Sequence, residues 1–132
     1  MRHLALTLSL CMTPLAAFAE TPLTGAEFGA DVTGKTLTYD YGNGILGTEE
    51  YLPDRKVRWA FEGDICMYGT WYQDKDQICF VYDSDPTPQC WLYFLESGKI
   101  RGRYMGPGGG WEILESARTT QPLSCAGPDV GV

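Results

Sequence analysis

Residues 69–104 have the sequence GTWYQDKDQICFVYDSDPTPQCWLYFLESGKIRGRY, and this stretch decides the fold. Short segments with turn residues divide it at Asp74-Lys75-Asp76, at residues 84–88 and at Glu96-Ser97-Gly98. Alternation with a period of two is typical of strands with one buried face, and short loops join antiparallel neighbours, so the stretch predicts a β-meander. The alternating side chains are Ile78, Phe80 and Tyr82, then Trp91, Tyr93 and Leu95, then Ile100, Gly102 and Tyr104.

The same pattern continues on both sides of this stretch. It predicts about eight strands in an all-β, antiparallel meander. Because closure removes exposed strand edges, we predict a small closed or nearly closed barrel. The further alternating positions are Leu37, Tyr39 and Tyr41, then Val57, Trp59 and Phe61, then Ile65, Met67, Gly69 and Trp71, and finally Trp111 and Ile113.

A short helix is expected before the first strand. Thr24 and Glu27 have the spacing of a capping box, which marks the N-terminus of a helix. We predict a helix from residue 25 to residue 30 or 31, ended by Gly34. Its apolar residues would anchor it over one end of the barrel: Ala26, Phe28 and Ala30.

The first 19 residues have the features of a secretory signal peptide. Arg2 and His3 give a positive start, an apolar run follows at residues 4–10, and Ala17-Phe18-Ala19 is an A-x-A cleavage signal. We therefore predict export to the periplasm, or to the extracellular space. In the alternative of a lipoprotein signal Cys11 would be lipidated, and the bulky Leu10 fits poorly before such a cut. The predicted organisation is a signal peptide at 1–19, a barrel domain at 20–118 and a C-terminal tail at 119–132, tethered through Cys125.

Cleavage changes the chemistry of the chain. It leaves 113 residues with nine basic and 17 acidic side chains, a net charge of −8, and no histidine. So acidic a chain is repelled by nucleic acid, and no second apolar run is long enough to span a membrane. Without histidine, Ser-His and Cys-His nucleophilic sites are excluded. The cysteines show no C-x-x-C spacing, so neither a metal nor another cofactor is expected.

Four cysteines remain after cleavage, which predicts two disulfides in an exported domain. Cys79 and Cys90 flank the turn at residues 84–88 almost symmetrically, so they should lie opposite each other on adjacent strands. We therefore predict a Cys79–Cys90 bond. Cys66 then pairs with Cys125 and holds the tail against the barrel.

Trp71, Trp91 and Trp111 are spaced by twenty residues, the length of two strands and two turns. They should begin alternate strands that run in the same direction. Two interpretations are open, namely core anchors at one end of the sheet and an aromatic rim that binds a ligand. The candidate ligand-binding residues are Trp59, Trp71, Trp91, Trp111 and Tyr39.

The charged residues suggest little catalytic chemistry. Glu49 and Glu50 are adjacent, and neighbours on a strand face opposite sides, so we expect solvated side chains rather than an acid–base pair. Arg58, Arg101 and Arg103 alternate outward on two strands. They could bind a carboxylate, but pairing with acidic residues across strands is the favoured interpretation.

Several motifs resemble known proteins. Gly69-Thr70-Trp71-Tyr72 looks like the Gly-x-Trp motif of the lipocalin and avidin barrels. A broader match resembles a family of small exported proteobacterial proteins of unknown function, which implies a periplasmic location and a β-rich fold but no activity. The residues of this match are Leu23-Thr24-Gly25, Gly34-Lys35-Thr36, Glu50-Tyr51-Leu52-Pro53-Asp54, Gly69-x-Trp71, and Ile78-Cys79-Phe80 to Cys90-Trp91.

Two functional hypotheses follow. The first is a monomeric, non-enzymatic binding protein for a small apolar or aromatic ligand, because a barrel of about eight strands has room for one. The second is a protein-interaction module, such as an inhibitor of a cationic exported hydrolase, which the net charge of −8 would favour. A third hypothesis, an enzyme that uses carboxylates alone, lacks a placed acid–base pair.

Overall fold

A computed structural model describes residues 20–127 of the 132-residue chain. The predicted signal peptide and residues 128–132 of the predicted tail lie outside the described residues. The described elements are α1 (Gly25–Val32), β1 (Thr36–Asp40), β2 (Leu46–Tyr51), a 3-10 turn (Pro53–Arg55), β3 (Lys56–Phe61), β4 (Met67–Asp74), β5 (Gln77–Tyr82), β6 (Asp85–Glu96), β7 (Lys99–Tyr104) and β8 (Glu112–Thr119).

The eight strands form a closed antiparallel barrel in which each strand pairs with its neighbour in sequence. β1 and β8 complete the ring, with Thr36 opposite Thr119, and the register of this seam shifts between Thr38 and Tyr39. Because the ring is closed, each of the eight strands has a partner on both sides. The predicted all-β meander barrel with a short N-terminal helix is confirmed.

The helix begins with the predicted capping box. The hydroxyl of Thr24 accepts a hydrogen bond of 3.1 Å from the backbone N–H of Glu27, whose carboxylate accepts one of 2.8 Å from the N–H of Thr24. These bonds satisfy two of the N–H groups that a helix start leaves without partners. The helix extends to Val32, slightly beyond the predicted end.

The helix covers one end of the barrel through its buried face. Phe28 and Val32, one helical turn apart, are fully buried. The predicted anchors Ala26 and Ala30 are wrong, since both are exposed. Positions two residues from Phe28 lie on other faces of the helix. The ring of Phe28 meets four aromatic rings of the barrel, with centroids 4.6 to 6.4 Å away: Tyr51, Trp71, Phe80 and Tyr93.

Ile65 and Leu95 are predicted inward positions that belong neither to the core nor to the interior of the barrel. Ile65 is 70% exposed because β4 begins only at Met67. Leu95 is 46% exposed because it lies beside the turn that joins β6 to β7. Its neighbour Phe94 is buried on the other face of β6, where the guanidinium carbon of Arg101 lies 4.4 Å from the ring centroid.

Two glycines on the strands make room for aromatic rings. A Cβ at Gly47 would lie 2.0 Å from Cη2 of Trp59, and a Cβ at Gly102 would lie 2.8 Å from Cε1 of Tyr93. Both distances are too short for a side chain to fit without moving the ring. The missing side chains on β2 and β7 therefore allow large rings from neighbouring strands to fill the barrel.

Two disulfides brace the fold. Cys79 and Cys90 are opposite residues of β5 and β6, with Cα atoms 4.0 Å apart, and Cys66 is bonded to Cys125. The second bond holds the tail against the barrel wall, where the N–H of Leu123 also donates to Glu50. Two disulfides are consistent with an exported protein. No helix among residues 20–127 is long and apolar enough to cross a membrane.

Candidate ligand-binding cavity

The barrel contains a cavity of about 300 Å³. Phe28 of the helix packs on Tyr51 and Phe80 at its inner end. At the other end, Phe61 and Trp111 are 40% and 43% exposed, so the cavity opens toward solvent there. Most of its lining is aromatic, and comprises Tyr39, Tyr41, Glu49, Tyr51, Trp59, Phe61, Met67, Phe80, Tyr82, Gln89, Trp91, Tyr93, Tyr104, Trp111 and Ile113.

Four of the five candidate ligand-binding residues line this cavity. Trp71, the fifth, is 3% exposed and does not reach it. Its ring lies 5.3 Å from that of Phe28 and 4.8 Å from the guanidinium carbon of Arg55, beneath the helix. Trp71 is therefore a core anchor rather than part of the cavity wall. The four lining residues are Tyr39, Trp59, Trp91 and Trp111.

The three evenly spaced tryptophans do lie on or beside alternate strands, but they do not begin them. Trp71 and Trp91 lie inside β4 and β6, and Trp111 immediately precedes β8. The turn between β5 and β6 is shorter than predicted, which starts β6 at Asp85, well before Trp91. The prediction that each tryptophan begins a strand is therefore wrong for Trp91, and it is wrong for Trp71 because β4 already begins at Met67, whereas Trp111 directly precedes the first residue of β8.

An aromatic cluster surrounds the open end. The ring of Trp111 is 5.3 Å from Trp91, 5.0 Å from Tyr104 and 6.0 Å from Tyr41, measured between centroids. Trp111 is 43% exposed, so part of its ring faces solvent at the open end. The open end can thus admit an apolar body and contact it with large rings.

Glu49 is the residue that the sequence argument missed. The prediction that the Glu49 side chain is solvated is wrong, because Glu49 is 3% exposed and lines the cavity. The sequence contains one signal for this position, because Glu49 alternates with Gly47 and Tyr51. The structure shows that all three residues are buried on the same face of β2. Glu49 and Glu50 do face opposite sides of β2, as predicted, and Glu49 is the one that faces the barrel interior.

The carboxyl of Glu49 has one hydrogen-bond partner in its immediate surroundings. The hydroxyl of Tyr82 donates a bond of 2.9 Å to Oε2. Oε1 is buried and has no hydrogen-bond partner among the described residues. Burial raises the pKa of Glu49 well above its usual range, and the bond from Tyr82 opposes this only in part.

A second polar pair lies near the inner end of the cavity. The hydroxyls of Tyr39 and Tyr51 are 2.7 Å apart and share a hydrogen bond. Burial raises the pKa of both phenols well above the usual value, so both are neutral near pH 7. They can exchange hydrogen bonds with a ligand but carry no charge.

Glu50 lies on the outer face of the barrel wall. It accepts a hydrogen bond of 2.9 Å from Nε of Arg58 and one of 2.9 Å from the N–H of Leu123. The pairing of Arg58 with an acidic residue across strands is confirmed. Neither side chain reaches the cavity, so this pair holds β2, β3 and the tail together.

Arg101 lies among acidic side chains as well. It pairs with Glu20 at 2.5 Å, with Glu96 at 3.0 Å and with Glu112, and it is 8% exposed. Arg103 contacts Glu20 at 3.5 Å. The pairing predicted for these arginines is confirmed, although Arg101 covers Phe94 instead of pointing into solvent.

The side chains of the lining limit the chemistry that the cavity offers. The described residues contain no group of three or more His, Cys, Asp or Glu placed to hold a metal ion. Within the cavity, Glu49 is the one carboxyl, and the other polar side chains of the lining include the phenols and the amide of Gln89. Such a lining offers apolar contact, ring faces and a single acidic group.

Comparison of the chain with models of protein families, with curated proteins and with solved structures finds no match. The cavity and its lining are therefore the basis for assigning a function.

Proposed function

We propose that this protein is an exported, non-enzymatic binding protein that holds one small apolar or aromatic ligand inside its barrel. The observation that supports the proposal is the cavity of about 300 Å³, walled by aromatic side chains and open at one end. Its volume lies at the lower end of the range for small-molecule sites. A barrel packed solid with side chains would have favoured a protein-interaction role instead.

The lining supports an apolar ligand with few polar groups. Trp59, Trp91 and Trp111 offer large ring surfaces, and the Tyr39 and Tyr51 hydroxyls offer hydrogen bonds near the inner end. Burial of an apolar surface against such walls contributes about 25 cal/mol per Å². This lining therefore favours a ligand whose surface is largely apolar.

A binding role also agrees with the chemistry of the chain. Glu49 has no second carboxyl beside it in the cavity, so the acid–base pair that hydrolysis by carboxylates requires is missing from the lining. The disulfides support export, and the predicted signal peptide and the resemblance to exported proteins suggest the periplasm. We take the monomer to be the functional form, since one barrel encloses the whole cavity.

The alternative, an inhibitor of a cationic hydrolase, gains less support. It would rely on the excess of acidic side chains. Several of these are already paired with arginine, including Glu20 and Glu112 with Arg101 and Glu50 with Arg58. Pairing reduces the negative charge that these particular residues offer to a basic partner, although the net charge of −8 already counts the arginines and is unchanged by it.

Tryptophan fluorescence tests the proposal. Two variants, each retaining a single tryptophan and phenylalanine at the other three positions, separate the cavity from the core. In the first Trp111 is retained at the open end, and in the second Trp71 is retained outside the cavity. A panel of fatty acids, arylalkyl amines, aryl alcohols and indoles should quench or shift Trp111 with saturation, and affect Trp71 much less. Because that variant also changes Trp59 and Trp91 in the cavity lining, the wild-type protein is titrated with the same panel, and a flat response of both proteins would contradict the proposal.

A further inference from the structure

We propose that the cavity selects ligands that carry a protonated amine on a small aromatic or apolar body, with Glu49 as the counter-ion of the ammonium group. This inference rests on the proposed function, because it names the class of ligand for the same cavity. Its basis is a buried carboxyl oxygen that lacks a partner inside an aromatic space of ligand size.

Glu49 presents an unused acceptor in the cavity wall. Its Oε2 is bound by Tyr82, whereas Oε1 has no partner among the described residues, and the side chain is 3% exposed. Nearly all buried side-chain polar atoms in native proteins have a partner. An unpartnered oxygen in a cavity of about 300 Å³ is therefore a place for a donor that a ligand supplies.

The surroundings of Glu49 favour a charged donor over a neutral one. Ring faces attract ammonium groups through their quadrupole, and a carboxylate adds an opposite charge. Trp59 lies directly opposite Glu49 in the register of β2 and β3 and also lines the cavity. The residues that line the cavity include no lysine or arginine, so the described chain brings no cation of its own into this space.

Binding of a cation should displace a proton. Burial raises the pKa of Glu49, so the carboxyl of the empty site stays neutral to a higher pH than a solvent-exposed glutamate does. An ammonium ion favours the carboxylate, so the proton of Glu49 passes to water when the cation enters. One positive charge enters and one leaves, and the total charge inside the cavity is unchanged.

The other titratable groups around Glu49 do not compete for this role. Glu115, on the inner face of β8, is already paired with Arg118 at 2.6 Å. The remaining groups are phenols whose pKa is raised by burial, so they are neutral between pH 6 and pH 8. These phenols are Tyr39, Tyr41, Tyr51, Tyr82 and Tyr93.

The sign of the pH effect follows from this exchange. Below the raised pKa of Glu49, the affinity for an ammonium ion should increase with pH, by up to about tenfold per pH unit. The increase continues while the amine itself is protonated, and an alkylammonium has a pKa of about 10. A neutral ligand that accepts a hydrogen bond from the protonated carboxyl would show the opposite trend.

Isothermal titration calorimetry on the wild-type chain is the first test. The probes are 2-phenylethylamine and tryptamine, with 2-phenylethanol as a neutral compound of similar shape, at pH 6, 7 and 8. Titration in two buffers of different ionisation enthalpy counts the protons released. We expect the amines to bind at least about tenfold more tightly than the alcohol at pH 8, and amine binding to release protons at pH values below the raised pKa of Glu49.

A variant pair locates the effect. Glu49→Gln keeps the shape of the side chain but cannot ionise, so amine binding should weaken at least about tenfold and lose its dependence on pH. Binding of 2-phenylethanol to this variant should change little. Glu50→Gln, on the outer face of the same strand, is the matched control and should bind both probes as the wild type does.

Two negative results can be told apart. If 2-phenylethanol binds as tightly as the amines at each pH and no proton is released, the inference is wrong and the proposed function stands. If no probe binds and the wider fluorescence panel is also flat, both are wrong. Because the proton count comes from the wild type, misfolding of the Glu49 variant would not affect this decision.

Discussion

The hydroxyl of Tyr82 donates a hydrogen bond of 2.9 Å to Oε2 of Glu49 inside the barrel, where the two residues are 7% and 3% exposed. This bond satisfies one of the two carboxyl oxygens and leaves the other without a partner. Burial of a carboxyl with one hydrogen bond opposes folding unless the group stays protonated. The position of Glu49 therefore costs stability, and such a cost is common where a residue serves binding.

Replacement of Glu49 by glutamine should make stability less dependent on pH. The pKa of Glu49 is raised in the folded state, so its protonated form favours folding at low pH and this contribution is lost as pH rises through that raised value. Relative to the wild type, Glu49→Gln should gain up to about 1.4 kcal/mol per pH unit above pH 5. Urea unfolding of both proteins from pH 5 to pH 8 measures this difference. A constant difference across the series would show that Glu49 does not titrate with folding.

Gly47→Ala should destabilise the barrel by about 1–3 kcal/mol. The new Cβ would lie 2.0 Å from Cη2 of Trp59, so the indole has to leave its present position. Combination with Trp59→Phe provides the check, because the smaller ring lacks the clashing atoms. We expect the double variant to lose less stability than the two single changes added together, in chemical denaturation. Additive losses would mean that this contact does not limit the fold.

The fold could be predicted from the sequence because each strand repeats one simple pattern. Ile78, Phe80 and Tyr82 occupy alternate positions of one short apolar run, and turn residues flank that run, so local rules suffice for the meander. The pairing of Cys79 with Cys90 followed from the same register. Closure of the barrel followed from the number of strands and their edges.

The burial of Glu49 in the cavity could not be predicted from such local patterns. Glu49 interrupts an apolar face, and charged residues are seldom fully buried, so composition favours a solvated side chain. Its hydrogen-bond partner Tyr82 is 33 residues away in sequence on β5, so the two residues meet only in the closed barrel. For Trp71 the error runs the other way, since the sequence places it in the candidate site and the structure places it outside the cavity. It belongs to the inner face by pattern, but the helix covers it with Phe28 and removes it from the cavity.

Loss of the Cys66–Cys125 bond should weaken the protein without changing the cavity. The two residues are separated by 59 positions, and cross-linking a loop of this length contributes about 4 kcal/mol in the chain-entropy model. Cys66→Ala with Cys125→Ala should lower stability by an amount of this order and expose the tail to proteases. Ligand-induced fluorescence changes of Trp111 should persist, since neither cysteine lines the cavity. Loss of those changes in a folded variant would contradict this separation of tail and cavity.

Phe28→Ala should remove the contact that closes the inner end of the barrel. Phe28 is fully buried, and its ring stacks on Tyr93 with centroids 4.6 Å apart, so truncation should cost about 3–5 kcal/mol. Ala30→Ser changes an exposed position of the same helix and should alter stability by no more than about 0.5 kcal/mol. Thermal unfolding of the two variants gives the comparison.

Because the cavity wall at Tyr93 depends on Phe28 and not on Ala30, Phe28→Ala should also bind aromatic probes more weakly at temperatures where it is folded. Equal binding by both folded variants would show that the wall keeps its shape without the helix contact.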